Sequence, residues 1–388
     1  MHKNHLEALQ HIETPAYVAD IAAIKRNLEK AKYIREQAGV KILLATKAFS
    51  MYSVFPIMSE YLDGTTASGL YEARLGANHF GKEVHTYSPA YKEDDLLEIL
   101  QYSNHIYFNS ISQLNKYGDL VREKRKDAII GLRVNPQLSL VKNSELYDPS
   151  APNSRFGIHK EELTESVLAK VDLLHFHNLC ENLAEDSVRL ISHISEKFDF
   201  AIKNVSRINI GGGHYYSHPE YDIDLLIKTL KNFRTKYNID VTLEPGGAHL
   251  YDAGYLVSSV IDTIENNSHI AIIDASASTH MPDVLEVPYT PKILNAEIHT
   301  KENTINNNSL IYTLGGNTCM TGDIIGTYRF DDKLHTNDKI IFTDMMQYTT
   351  VKNTTFNGVP LPNIGILHEN GKYELIKKFN YKDFEDRL

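Results

Sequence analysis

The feature that most constrains the fold is a series of eight short apolar segments, separated for the most part by helix-like sequence. The first five begin about 20 to 23 residues apart, the interval of a repeating strand–helix unit. Eight such units are typical of a (β/α)8 barrel, and their number favours this TIM-type α/β barrel over a doubly wound open sheet. The segments are Ile42–Ala45, Leu62–Ala67, Val84–Tyr87, Ile106–Phe108, Ile129–Val134, Val171–His177, Ile208–Ile210 and Val241–Leu243.

Local signals refine this pattern before and within the series. Asp20 is a helix N-cap signal, and the helical spacing of apolar residues after it ends at Gly39. The interval 135–170 between the fifth and sixth segments is long and rich in Pro, Asn and Ser, which predicts an inserted loop.

From about Leu256 the pattern changes to short β-like segments between turn-rich sequence. Asn357-Gly358 and Asn370-Gly371 are typical of hairpin turns. We therefore predict two domains in the 388 residues: a barrel over 16–255 and a C-terminal antiparallel β domain, a small barrel or sandwich, over 256–388. Residues 1–15 are expected to pack with the second. The β-like segments are His269–Asp274, Ile293–Ile298, Leu310–Leu314, Lys339–Phe342 and Tyr373–Ile376.

Charge and cysteine content narrow the class of protein. A formal net charge of -10 disfavours a nucleic-acid partner and is compatible with attraction of small cations. Cys180 and Cys319 give neither a disulfide framework nor the spacing of a metal site. The N-terminal sequence lacks the apolar core of a signal peptide, and no apolar run approaches the roughly eighteen residues of a membrane helix. We expect a soluble cytoplasmic protein with no membrane partner.

Polar and glycine residues follow four of the apolar segments. Lys47, His177, Gly211-Gly212-Gly213 and Glu244 each lie where a barrel strand should end. Each has a structural explanation by itself: a lysine that extends to solvent, a core histidine, a tight turn, or a capping carboxylate. Because the carboxyl ends of barrel strands meet at one mouth, where barrel enzymes keep their active sites, we expect these residues to form a functional site.

Pyridoxal 5'-phosphate is a cofactor that uses all four features. It needs a lysine amine of lowered pKa to form its Schiff base, and a lysine at the edge of a core meets that need. Glycines allow backbone N–H groups to approach a phosphate closely. A carboxylate keeps the pyridine nitrogen protonated, and a histidine ring could stack on the cofactor.

At these residues the chain resembles the decarboxylase branch of the fold-type III, alanine-racemase-like pyridoxal-phosphate enzymes. Within that branch it is most similar to the carboxynorspermidine/carboxyspermidine decarboxylases, over nearly the whole length. The ordered set of motifs is specific, although single motifs such as GGG are weak. The motifs are ATKAFS at 45–50, SRFG at 154–157, HFHNLCE at 175–181, GGGH at 211–214, EPGG at 244–247, IDASASTHMPDVLEVPY at 273–289 and CMTGD at 319–323.

The resemblance implies a role for each of these positions. It makes Lys47 the Schiff-base lysine and His177 the ring-stacking histidine. It makes Glu244 the partner of the pyridine nitrogen and also a substrate-binding residue. Further cofactor contacts are implied for Gly211, Gly212, Gly213, Gly246 and Tyr348. In this family two chains form a homodimer with shared active sites. Cys319 and Asp323 are similar to the pair that one chain supplies to its partner's site, as proton donor and as ligand of a substrate ammonium.

Two weaker candidates keep two interpretations each. Asp274 ends a β-like segment and is either a second ligand for a substrate amine or a turn-capping residue. Arg155 in SRFG either braces the site through an ion pair or caps the inserted loop.

Two departures from related decarboxylases bear on the substrate. Ornithine and diaminopimelate decarboxylases usually place Asp or Glu after the cysteine, whereas this chain has Met320, which suits a methylene-rich substrate. Gly247 stands where relatives often carry Arg, a residue that would suit a distal carboxylate of the substrate. The absence of Arg here therefore disfavours such a substrate. We expect decarboxylation of a carboxylated polyamine, carboxynorspermidine or carboxyspermidine. The alternatives are a diaminopimelate, ornithine or arginine decarboxylase, a racemase, or a non-catalytic pyridoxal-phosphate carrier.

Overall fold

Eight parallel strands form a closed barrel in the computed structural model, which describes residues 3–141, 145–300 and 310–388. Strands in the described residues are β1 (Ala16–Asp20), β2 (Lys41–Ala45), β3 (Gly64–Ala67), β4 (Glu83–Tyr87), β5 (His105–Phe108), β6 (Ile129–Arg133), β7 (Leu173–His175), β8 (Arg207–Asn209), β9 (Asp240–Leu243), β10 (Gly254–Glu265), β11 (His269–Ile273), β12 (Ala296–Ile298), β13 (Ile311–Gly315), β14 (Ile324–Phe330), β15 (Lys339–Thr343), β16 (Asn363–Leu367) and β17 (Tyr373–Lys377).

The α-helices of the same residues alternate with the barrel strands and become short after β9. They are α1 (Lys3–Gln10), α2 (Ile21–Ala38), α3 (Phe55–Ser59), α4 (Leu70–His79), α5 (Glu93–Ile99), α6 (Ile111–Lys124), α7 (Glu165–Leu168), α8 (Ala184–Lys197), α9 (Asp199–Ile202), α10 (Ile223–Tyr237), α11 (Gly247–Leu250), α12 (Ala277–His280), α13 (Asp283–Glu286) and α14 (Tyr381–Glu385).

The barrel runs in chain order from β2 to β9, and β9 pairs with β2 to close it. Each predicted apolar segment contains or overlaps one barrel strand, so the predicted (β/α)8 barrel is confirmed. The apolar segments predicted the strands because parallel barrel strands are buried on both faces and therefore form continuous apolar runs. Ile42, Leu43 and Leu44 of β2, for example, are fully buried.

Side-chain caps fix the starts of several helices. The Asp20 carboxylate accepts a hydrogen bond from the Ala23 N–H (3.1 Å), and α2 ends just before Gly39, as predicted. Ser110 caps α6 and Asp222 caps α10 in the same way. A long connection joins β6 to β7 where the inserted loop was predicted, and its residues 142–144 lie outside the described residues.

The predicted β domain is a mostly antiparallel nine-stranded sheet. Its strand order is β12-β14-β13-β11-β10-β1-β16-β17, with β15 also paired to β10; the pairs β1–β16 and β11–β13 are parallel. Asn370-Gly371 connects β16 and β17, which pair antiparallel, as predicted.

The hairpin predicted at Asn357-Gly358 is wrong. These residues lie in a 3-10 turn, Phe356–Gly358, and no strand directly flanks the turn. The dipeptide was chosen because it tolerates positive φ, and Asn357 does adopt φ 57°. Without adjacent strands to pair, that conformation serves a different contact: Asn357 Oδ1 accepts a hydrogen bond from the Cys319 N–H (2.8 Å).

The chain divides into two compact units, Lys25–His249 and the described parts of Met1–Ile24 with Leu250–Leu388. Strand β1 belongs to the sheet, where Val18 packs in one apolar cluster with Leu9, Ile12 and Tyr255. The domain ranges 16–255 and 256–388 stay a prediction. Among the helices of the described residues, none has the length and apolar character to cross a membrane.

Candidate active site

The predicted residues of the barrel lie at the ends of four adjacent strands. Lys47 follows β2, His177 follows β7, the glycines Gly211–Gly213 follow β8, and Glu244 follows β9. Since β7, β8, β9 and β2 are consecutive neighbours in the closed barrel, the four features occupy one sector of its mouth.

Lys47 is the reactive amine of this sector. Its Nζ lies 3.3 Å from His177 Nε2. The side chain keeps contact with solvent, but partial desolvation, followed by the positive charge of Arg133, lowers the pKa of Lys47. A lowered pKa increases the fraction of neutral amine, which is the nucleophilic form.

His177 is held in one tautomer by the glycine loop. The Gly212 N–H donates to His177 Nδ1 (3.0 Å), so the ring proton resides on Nε2. Burial, then the charge of Lys47, lowers the pKa of His177 well below its ordinary value, which keeps the ring neutral. The Nε2 proton therefore faces the Lys47 amine, a contact that is favourable only when that amine is neutral.

The glycine loop packs too closely for any side chain. Gly211 (φ +73°) and Gly213 (φ +85°) have left-handed backbones, and a Cβ on Gly211 would lie 2.6 Å from His177 Cα. A Cβ on Gly246 would lie 2.5 Å from Ala48 Cβ, beside the Lys47 strand end. The glycines thus leave backbone, rather than side chains, lining this part of the mouth.

Glu244 supplies a negative charge below the mouth. Its carboxylate is buried and accepts a hydrogen bond from Asn209 Nδ2 (2.6 Å). Burial opposes ionisation, but the neighbouring His175, His85 and Asn209 outweigh it and lower the pKa of Glu244 to about 2. The carboxylate is therefore ionised at neutral pH.

Sequence reasoning missed three polar residues of this site. Arg133, at the end of β6, donates from Nη2 to the His177 carbonyl (3.1 Å), and its guanidinium stacks over Tyr87 and Phe156. His175 is fully enclosed, with Nε2 3.3 Å from Glu244 and no hydrogen bond to either ring nitrogen among the described residues. Asn209 is the third. A charged or polar residue inside an apolar segment was the available signal for each.

Arg155 lies on the inserted loop near the same residues. Its guanidinium carbon is 4.3 Å from the centre of the Phe156 ring, the ring that Arg133 also covers. Its backbone carbonyl accepts a hydrogen bond from Asn109 (2.8 Å).

The remaining predicted residues belong to the sheet unit. Cys319 is exposed in the connection after β13, and Asp323, at the end of that connection, is buried. The Asp323 carboxylate accepts hydrogen bonds from Ser276 Oγ (2.8 Å), Thr318 Oγ1 (2.6 Å) and the Ala277 N–H (2.8 Å), which fix its orientation.

Asp274 and Tyr348 have distinct surroundings in the same unit. Asp274 accepts hydrogen bonds from Ser258 Oγ (2.6 Å), the Ser259 N–H (2.8 Å) and Thr14 Oγ1 (2.6 Å), an arrangement that favours its structural interpretation. Tyr348 adopts a left-handed backbone with φ 55°.

The barrel residues fit pyridoxal phosphate. A neutral lysine amine, a neutral histidine ring, an ionised carboxylate and a glycine cradle are the groups that would hold its aldehyde, ring face, ring nitrogen and phosphate. His175, buried with Nε2 3.3 Å from Glu244, is an additional polar group at the nitrogen end.

Comparison with known proteins defines the class. The family described as "Pyridoxal-dependent decarboxylase, C-terminal sheet domain" matches residues 16–346. The chain belongs to this family of pyridoxal-dependent decarboxylases, as the motifs indicated.

Within that class, individual relatives are similar over almost their full length. The carboxynorspermidine/carboxyspermidine decarboxylase of Campylobacter jejuni is 43% identical over 97% of this chain and 99% of the relative. The carboxyaminopropylagmatine decarboxylase of Synechocystis is 37% identical over 98% of this chain and 96% of the relative. The solved structure of Campylobacter jejuni carboxynorspermidine decarboxylase with norspermidine superposes with a TM-score of 0.90, at 41% identity, over 97% of this chain and 100% of that one.

Proposed function

We propose that the protein decarboxylates carboxynorspermidine, carboxyspermidine or both, with pyridoxal 5'-phosphate as cofactor. The likeness to the Campylobacter enzyme over nearly the full length supports the substrate class. The observation that carries the chemistry is the contact of Lys47 with a neutral His177, beside an ionised Glu244.

Each barrel residue has a defined part in this proposal. Bound pyridoxal phosphate would withdraw the electrons left at the carbon that loses CO2. Lys47 would hold the cofactor through its amine and yield that position to the substrate amine. Glu244 would keep a proton on the ring nitrogen, because its own pKa of about 2 leaves it ionised at any working pH. His177, locked by Gly212, would fix the plane of the ring.

The sheet unit would supply the groups that act on the substrate. Cys319, whose thiol is exposed and whose backbone N–H donates to Asn357, would deliver a proton to the carbon that lost CO2. Asp323 would pair with a distal ammonium, and Tyr348 would reach the phosphate. We propose that these residues act in a homodimer with shared sites, in a cytoplasmic protein without nucleic-acid or membrane partners. The net charge of -10 favours approach of a polycationic substrate.

Product analysis tests the substrate assignment. Purified protein with pyridoxal phosphate is incubated with carboxynorspermidine, carboxyspermidine, carboxyaminopropylagmatine, diaminopimelate, ornithine and arginine, and CO2 and the amine formed are measured. We expect norspermidine or spermidine as the preferred product. Lysine, putrescine or agmatine would assign a different decarboxylase. A racemised amino acid without CO2, or cofactor binding without turnover, would contradict the proposal.

Lys47→Ala tests the chemistry in the same assay. We expect loss of the absorption band of covalently bound cofactor and a fall in kcat of at least about 1,000-fold, because the nucleophile is gone. Lys203→Ala is the matched control, since Lys203 is an exposed lysine paired with Asp199 on the barrel surface. A Lys47→Ala protein that keeps the absorption band would contradict the assignment of Lys47.

A further inference from the structure

Polar side chains extend from Glu244 into the interior of the barrel. Asn209 Nδ2 contacts both Glu244 Oε1 (2.6 Å) and the Tyr107 hydroxyl (3.2 Å). The Tyr107 hydroxyl lies 2.6 Å from His85 Nδ1, and His85 Nε2 lies 3.4 Å from Glu83 Oε2. Barrel interiors are usually filled by branched apolar side chains, and a buried polar chain is favourable only when its members satisfy one another.

Hydrogen-bond directions at Asn209 are fixed by the glycine loop. The Gly211 N–H donates to Asn209 Oδ1 (2.7 Å), so the amide NH2 group must point to Glu244 and Tyr107. A single amide therefore joins the loop assigned to the phosphate and the carboxylate assigned to the ring nitrogen. Its orientation decides the geometry of both.

The donor and acceptor assignments extend from Asn209 to Tyr107 and His85. Burial raises the pKa of Tyr107 well above its ordinary value, so its hydroxyl stays protonated. That hydroxyl accepts from Asn209 and can satisfy its own proton at His85 Nδ1. His85 then carries its proton on Nε2, which faces Glu83. The hydrogen bond from His85 and the contact with Lys41 lower the pKa of Glu83 to about 2, although burial of Glu83 acts in the opposite direction.

The same directions disfavour a metal site in this region. Glu83, His85 and His105 bring three donor atoms within 4.8 Å of one another. However, the hydrogen-bond directions inferred above put the proton of His85 on Nε2, and Glu83 is already paired with Lys41. The three residues are therefore part of a hydrogen-bonded array.

We propose that Tyr107 and His85 are positioning residues that act through Asn209. By giving the Asn209 amide a second acceptor of fixed direction, they hold its NH2 group toward Glu244 and its oxygen toward Gly211. They would thus align the nitrogen and phosphate ends of the cofactor site without a hydrogen bond of their own to Glu244 or Gly211; His85 Nδ1 lies 3.9 Å from Glu244 Oε1, beyond hydrogen-bond distance. This inference rests on the proposed function, since it assigns a purpose to the alignment of Glu244 and Gly211.

The test compares Tyr107→Phe with Tyr216→Phe in the cofactor-loaded protein. Tyr216 is also a buried tyrosine whose hydroxyl bonds to a histidine, His249 (2.5 Å), but among the hydrogen bonds of the described residues it makes none to Asn209 or Glu244. For Tyr107→Phe we expect kcat about 10-fold lower with KM within about 3-fold of wild type, a weaker Kd of the apoprotein for pyridoxal phosphate, and a shifted absorption band of bound cofactor. Tyr216→Phe should leave all three unchanged.

Two substitutions of His85 provide a second, independent measurement. His85→Asn keeps an acceptor near the position of Nδ1 and should retain most of the wild-type kcat and cofactor band. His85→Leu removes the acceptor and should resemble Tyr107→Phe.

The outcomes separate this inference from the proposed function. If wild type releases CO2 while Tyr107→Phe matches Tyr216→Phe, or His85→Leu matches His85→Asn, the positioning role is wrong and the proposed function stands. If wild type neither binds pyridoxal phosphate nor releases CO2, the proposed function is wrong and this inference falls with it.

Discussion

Lys47 illustrates how single residues set the chemistry of the barrel mouth. Desolvation and the positive charge of Arg133 lower its pKa from the ordinary 10.5. Lysine is neutral above its pKa, so the reactive amine becomes available at a lower pH than for an ordinary lysine. We expect the rate at which the apoprotein captures pyridoxal phosphate to rise with pH with a midpoint below that of a free lysine side chain, as followed by stopped-flow absorbance.

Arg133 provides the second residue-scale prediction. Arg133→Met removes the charge but keeps an unbranched apolar stem, so the Lys47 ammonium loses a repulsive neighbour and its pKa should increase. The midpoint of the capture profile should move to higher pH. Arg122→Met is the control, because Arg122 lies near the end of α6, is exposed and pairs with Asp172. An unmoved midpoint in Arg133→Met would show that the charge of Arg133 is not felt at Lys47.

The positions of individual residues in the apolar segments explain which parts of the site could be predicted from the sequence. Lys47, His177 and Glu244 are visible because each ends an apolar segment, and strand ends of a barrel face one mouth. Arg133 and Asn209 lie within such segments and are buried. Their polar character inside an apolar segment is visible in the sequence. The face on which they converge is not, because a run that is buried on both faces has no alternation in hydrophobicity.

At the scale of elements, the glycine loop after β8 combines two constraints that can be separated experimentally. Gly213 has φ +85°, and a Cβ there would lie 2.2 Å from the Leu179 carbonyl group. Gly81 has φ +75° with open space around it, and Gly69 has both open space and an extended backbone. Alanine at Gly81 meets conformational strain alone, whereas alanine at Gly213 meets strain and a clash.

Alanine substitutions at these three glycines should therefore form a series in stability. We expect the free energy of unfolding to fall by a few tenths of a kcal/mol for Gly69→Ala, by about 1 kcal/mol for Gly81→Ala, and by more than about 2 kcal/mol for Gly213→Ala. Urea unfolding monitored by circular dichroism measures each value. Equal midpoints for Gly81→Ala and Gly213→Ala would mean that the loop relaxes away from Leu179.

Helices and strands were predictable where a local sequence signal specifies them. They were missed where they depend on pairing with strands distant in the sequence. The eight barrel strands and α2 follow from periodicity and a cap. Strand β1 gives no such signal, because its partners are β10 and β16, more than 200 residues away in the chain. The Asn357-Gly358 turn shows the complementary error, since a dipeptide specifies backbone angles but not the presence of flanking strands.

For the whole molecule, the proposed homodimer makes a quantitative prediction about mixed chains. Lys47→Ala and Cys319→Ala should each be inactive by themselves. If Cys319 of one chain serves the barrel of its partner, a heterodimer of the two variants has one site with both defects and one intact site. With random exchange, half of the dimers are mixed, so the mixture should recover about 25% of wild-type activity.

A second mixture distinguishes shared sites from mere mutual stabilisation of two chains. Lys47→Ala and Glu244→Gln both damage the barrel of their own chain, so each site of their heterodimer keeps one defect whichever partner supplies the cysteine. This mixture should recover no activity, although it passes through the same dissociation and reassociation as the first. Activity in both mixtures would point to rescue that does not depend on where the cysteine comes from. Activity in neither, with exchange verified by native mass spectrometry, would mean that Cys319 acts within its own chain. The shared site would then be wrong, while the assignment of Lys47 would still stand.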